Sequence, residues 1–132
     1  MKIEKYKVET TKGTLQYNIS GKGKPNIVLI NGGSGPMEGW MKILPVISES
    51  ASVFSYNRFG VAGSDKLKVS QDGLNIVNTL REALTSVGFE PPFLLVGHSL
   101  GGLYAILYAR LYPNEVAGLV FFRIQYHERY QP

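Results

Sequence analysis

Val96-Gly97-His98-Ser99-Leu100-Gly101-Gly102 is the segment of the chain most restrictive of its architecture. It stands between Phe93-Leu94-Leu95-Val96, a short apolar run of the kind buried on both faces of a parallel sheet, and residues 100–111, whose helical pattern stops at Tyr112-Pro113. A Gly-x-Ser-x-Gly pattern at a strand-to-helix turn has a steric rationale. The sharp turn forces Ser99 into a strained backbone conformation, and Gly97 and Gly101 let neighbouring chain pass close by. The hydroxyl is thereby lifted above the sheet, beside a helix N-terminus whose unpaired backbone N–H groups suit a developing oxyanion. The plainer alternative is a Ser that only caps a helix in a Gly-rich turn.

Upstream, residues 3–8 and 14–19 alternate apolar and polar side chains around a turn at Lys12-Gly13, which predicts an antiparallel hairpin at a sheet edge. Ile27-Val28-Leu29-Ile30 is an unbroken buried strand that ends in a Gly-rich loop over 31–35. Trp40, Ile43, Leu44 and Ile47 have helical spacing interrupted by Pro45, so that helix is short or kinked. Val53-Phe54-Ser55-Tyr56 reads as a strand. Residues 71–87 place Leu74, Val77, Leu80, Leu84 and Val87 on one stripe and stop at Gly88, a natural C-terminal cap. Gly118-Leu119-Val120-Phe121-Phe122 is the last strand. Strands alternating with helices over short connections predict an α/β fold, a mostly parallel sheet with helices on both faces.

The bulk properties narrow the function classes. With 132 residues, 44% hydrophobic and 18% charged, the chain has the composition of one domain with its own core. It contains no Cys, which removes disulfide scaffolds and thiolate metal sites, and neither a metal nor a cofactor is expected. The net charge of +4 is scattered rather than gathered beside aromatic residues, so no nucleic-acid partner is expected. The Gly21-Lys22-Gly23-Lys24 run lacks P-loop spacing and reads as a turn. Residues 1–10 contain no apolar leader-like run, and no stretch approaches the roughly 20 apolar residues that span a bilayer, so the expectation is a cytoplasmic protein with no membrane partner.

Three motifs, in order, resemble those of the α/β-hydrolase family. Asn31-Gly32-Gly33-Ser34-Gly35-Pro36 resembles the His-Gly-Gly-Pro-Gly type of oxyanion loop, residues 56–65 resemble the Tyr-Asp-x-x-Gly-x-Gly-x-Ser loop, and residues 97–101 resemble the nucleophile elbow. The resemblance implies that Ser99 is the nucleophile for an ester, amide or related acyl bond in a small-molecule substrate. It further implies oxyanion donors from the backbone N–H groups of Leu100 and Gly33. Asn31 replaces the His usual at its place, with a loop-ordering hydrogen bond or a substrate contact as its two readings. Arg58 and Asp65 are expected to form an ion pair that fixes their loop. Trp40, Met37 and Met41 are read as core packing, with an acyl pocket as the alternative.

The chain order of the family is Ser, then Asp or Glu, then His. After Ser99 there is no Asp; the acids are Glu115 and Glu128, and the one remaining His is His127, a weak candidate for the base. His98 adjoins the nucleophile and its side chain is expected to point away from Ser99. The resemblance ends at Phe122, which makes 1–132 a single, incomplete domain lacking the C-terminal strands, with 123–132 a divergent tail. Strand 118–122 would then be an apolar edge open to self-association or to a complementing C-terminal half. The alternative function is a truncated, non-catalytic remnant or interaction module without triad acid and base.

Overall fold

The hairpin of β1 (Tyr6–Thr10) and β2 (Gly13–Ser20) forms one margin of a six-stranded sheet. The computed structural model describes residues 3–32, 35–66 and 72–122. β2 runs antiparallel to β4 (Ser52–Asn57), and β4, β3 (Asn26–Ile30), β5 (Phe93–His98) and β6 (Val116–Phe122) then continue in parallel. The strand order is β1-β2-β4-β3-β5-β6, with the hairpin at the edge as its alternation predicts.

The unbroken apolar runs follow from cores on both faces. Val28, Ile30, Phe93 and Leu95 point into a core shared with α2 (Gly73–Val87) and α3 (Leu100–Leu111). Ile27, Leu29 and Val96 point the other way, toward Met37, Trp40 and Leu44. That second face carries a 3-10 turn at Met37–Trp40 and the one-turn α1 (Leu44–Ile47). Pro45 sits in the first turn of α1, where its missing N–H leaves no helical bond unmade, so the interrupted pattern becomes two short elements.

In α2, Asp72 accepts from the Asn75 N–H at 2.8 Å as the N-cap, and Gly88 closes the C-terminus at φ 76°. The buried arc differs from the expected stripe. Ile76 and Ala83 join Val77, Leu80 and Leu84 inside, whereas Leu74, in the first turn, is 53% exposed. Among the described residues, the consecutive β6 residues Leu119, Val120, Phe121 and Phe122 are exposed at the opposite margin.

Candidate active site

Ser99 is the single residue between the last residue of β5 and the first of α3. Its backbone has φ 55° and ψ −120°, a region that costs a residue bearing Cβ about 1–3 kcal/mol. The strain is held by main-chain bonds on both sides. The Ser99 N–H donates to the Phe122 carbonyl at 3.1 Å, and its own carbonyl accepts from Gly102 N–H at 2.9 Å. The side chain makes no capping bond, which removes the plainer reading of a Ser that merely ends a helix.

The two elbow glycines are required by proximity. A Cβ on Gly97 would stand 2.5 Å from Gly102 Cα, and one on Gly101 would run into the Ile30 carbonyl oxygen. The first turn of α3 therefore rests on the end of β3. The backbone N–H of Leu100, in that first turn, lies beyond the reach of an intrahelical acceptor, and a Cβ on Gly32 would stand 3.1 Å from its nitrogen. Gly33, the other expected oxyanion donor, lies outside the described residues, as does His127.

The loop leading to Gly32 is fixed by Asn31. Its Nδ2 donates to the Pro36 carbonyl at 2.9 Å, and its Oδ1 accepts from Trp40 Nε1 at 2.8 Å. Both side-chain atoms are thus engaged in ordering the loop. Arg58 differs from the expectation: its guanidinium donates to the Asn31 carbonyl and lies 5.4 Å from the centre of the Tyr104 ring. Asp65 turns instead to β2, accepting from Thr14 N–H at 2.8 Å. No ion pair joins Arg58 and Asp65, because each has a nearer main-chain partner.

Three polar side chains to which the sequence reading gave no role, Asn57, Gln16 and Ser64, complete this support. Asn57, fully buried at the end of β4, accepts from Met37 N–H at 2.7 Å and donates to Gln16 Oε1 at 3.0 Å. Ser64 donates to the Asn57 carbonyl at 2.6 Å. Asn57 and Ser64 stand at the Asp and Ser positions of the motif over 56–65, which marked their place but not these bonds, and nothing in the sequence marked Gln16.

His98 belongs to the other face. The β5 alternation sends it with Leu94 and Val96 toward Trp40, whose ring it meets nearly perpendicular at 6.1 Å. It makes no hydrogen bond to Ser99 among the described residues, in keeping with the expected orientation. Trp40, His98 and Phe122 border a cavity of about 370 Å³. Met37 is wholly buried in the core and Met41 is exposed, so of the three candidate pocket residues only Trp40 borders it.

Glu115 is spent elsewhere. It sits just before β6, at the end of that strand opposite Phe122, and both its oxygens bond Arg81, the closest contact being 2.7 Å. Tyr108 also donates to it at 2.9 Å. The hydrogen bonds from Arg81 hold its carboxyl below the usual carboxylate range. Ser99 is at the far end of the sheet, so Glu115 is not a triad acid. Among the described residues no group of three His, Cys, Asp or Glu side chains is placed to hold a metal, and no helix is long and apolar enough to cross a membrane.

Comparison with known proteins agrees with this architecture. Residues 25–126 match the family model described as the alpha/beta hydrolase fold. Methylesterase 9 of Arabidopsis thaliana is 33% identical over 97 residues, covering 71% of this chain and 38% of that protein. A Shigella dysenteriae protein provisionally named carbamate hydrolase RutD is 32% identical over 110 residues, 80% of this chain and 49% of that one. A provisionally assigned lipase from Acinetobacter baumannii superposes with a TM-score of 0.85 at 25% identity, over 90% of this chain and 40% of its own. The chain spans less than half the length of these relatives. With its strand order, its elbow at Ser99 and a match over most of its length, the chain belongs to the alpha/beta hydrolase fold family.

Proposed function

We propose that the chain carries the nucleophile of a serine hydrolase, with Ser99 attacking the carbonyl carbon of an ester, amide or related acyl bond in a small-molecule substrate. The observation that carries this reading is the strained, exposed Ser99 backbone, held between β5 and α3 with no hydrogen bond to its hydroxyl among the described residues. A Ser retained in such a conformation without a capping role is suited to nucleophilic attack. In the first step Oγ forms a bond to the carbonyl carbon as its proton passes to a base, and the carbonyl oxygen takes the negative charge beside the N–H groups of Leu100 and Gly33. Collapse expels the alcohol or amine with that proton, and water then releases the acid. His98 faces Trp40 on the other side of the sheet and Glu115 is paired with Arg81, so the base and its acidic partner come from outside the described residues, His127 being the one candidate within the chain.

A second reading is a non-catalytic interaction module, which the absence of a triad base and acid near Ser99 among the described residues favours. Labelling with a fluorophosphonate probe separates the two. The wild-type chain is expected to label and Ser99→Ala to remain unlabelled, with circular dichroism showing both folded. A folded wild-type chain that does not label overturns the catalytic reading and leaves the module.

A further inference from the structure

We propose that Arg58 is a positioning residue for acyl attack at Ser99, its buried charge fixing the peptide that leads into the oxyanion loop against the first turn of α3. The inference rests on the reading of Ser99 as the nucleophile. Arg58 follows β4 directly and is 8% exposed, a burial that arginine rarely accepts without a paired carboxylate. Among the described residues no carboxylate forms an ion pair with it. Its guanidinium meets two other groups, donating to the Asn31 carbonyl and lying 5.4 Å from the centre of the Tyr104 ring. Its own backbone is clamped, since its carbonyl accepts from Val61 N–H at 3.0 Å and Ser64 bonds the Asn57 carbonyl just before it.

The two groups that Arg58 meets belong to the two segments with the expected oxyanion donors. The Asn31 carbonyl stands two residues before Gly33, and Tyr104 is one helical turn after Leu100, on the same face of α3. The same carbonyl oxygen also lies close to the elbow, where a Cβ on Gly101 would stand 2.9 Å from it. The Asn31 side chain orders the loop through Pro36 and Trp40, and Arg58 holds the main chain of that residue. A charged donor bonds a carbonyl more strongly than a neutral one, and in a water-poor interior it polarises the peptide it holds. That peptide joins Asn31 to Gly32, whose Cα packs against Ser99. An apolar side chain of similar length would fill the space without exerting this pull, whereas Lys would retain it.

Fluorophosphonate labelling of Ser99, followed over probe concentration in wild type, Arg58→Met and Arg58→Lys, tests the proposal. Arg58→Met is expected to lower the maximal labelling rate at least about tenfold and to change the half-saturating concentration less than about threefold, with unchanged circular dichroism. Arg58→Lys is expected to recover most of the rate. If Arg58→Met fails to fold, Arg58→Gln replaces it, since it keeps an N–H donor without the charge. A neutral variant that labels as fast as wild type, a loss confined to the half-saturating concentration, or an equal loss in the lysine variant overturns the proposal. A wild-type chain that does not label overturns the nucleophile reading instead, and amide exchange then decides whether Arg58 holds the loop to the elbow. The Gly35 N–H, which donates to the Gly32 carbonyl at 3.1 Å, and the Gly102 N–H, which donates to the Ser99 carbonyl, report on the two sides. Both are expected to exchange at least about tenfold faster in the neutral variant and near the wild-type rate in Arg58→Lys. Unchanged exchange at both, or equal acceleration in the lysine variant, overturns the positioning role.

Discussion

Gly32 and Ser99 approach so closely that a Cβ on the glycine would stand 3.0 Å from Ser99 Cβ and 2.5 Å from the His98 carbonyl oxygen. The loop after β3 and the elbow after β5 are therefore one packed unit. Gly32→Ala should separate them, at a cost of about 1–3 kcal/mol for overpacking against backbone. Urea denaturation is expected to report that loss, and fluorophosphonate labelling of Ser99 to fall with it. Full stability in the alanine variant would mean that the loop yields without resistance.

The strain at Ser99 can be separated from its chemistry. Ser99→Gly relieves the positive φ and is expected to raise stability by about 1 kcal/mol, whereas Ser99→Ala keeps a Cβ in the same backbone and should not. Both lack the hydroxyl, so both are expected to be unlabelled. Equal melting temperatures for the two would show that the backbone conformation at 99 stores no strain.

The parts of the fold legible in sequence are those where the backbone leaves little choice of residue. Gly97, Ser99 and Gly101 are dictated by close approach, and the apolar runs of β3 and β5 by burial on both faces. The phase of α2 was not legible at its ends. Leu74 is as apolar as Leu80, but its position in the first turn carries it past the sheet. The partner of Arg58 was hidden for a different reason. Opposite charges seven residues apart suggest a pair, and only the folded chain brings the Asn31 carbonyl within reach of the guanidinium. The hydrogen bond from Trp40 to Asn31 is of the same kind, since it depends on the loop's return past Pro36.

Asn31 holds the one Trp of the chain, which makes its role measurable. Asn31→Ala leaves the buried indole N–H without its acceptor, a cost of about 1–3 kcal/mol, and should shift Trp40 emission to the red as water reaches the ring. Asn31→Asp keeps the acceptor for Trp40 but loses the donor to Pro36, so a smaller emission change is expected at a comparable loss of stability. Identical emission in the alanine variant and the wild type would show that Trp40 is held by packing alone.

Tyr56 provides a test at alkaline pH. Its hydroxyl is buried without a hydrogen-bond partner among the described residues, and burial pushes its pKa up to about 12, with Arg58 opposing and Tyr104 adding to the effect. The folded chain thus keeps this proton between pH 10 and about 12, where the unfolded chain releases it. The associated stability is complete below pH 10 and is lost as pH rises through the folded value, about 3 kcal/mol in all. Tyr56→Phe removes both the unpaired hydroxyl and the titration. The variant should be at least as stable as wild type at pH 8, and its advantage should widen by about 3 kcal/mol toward pH 12. Tyr108 is also raised, by burial and by its bond to Glu115, but it is present in both proteins and cancels in the difference. Paired urea titrations across this range would measure that difference, and a gap that stays constant with pH would show that Tyr56 ionises as readily in the folded chain as in the unfolded one.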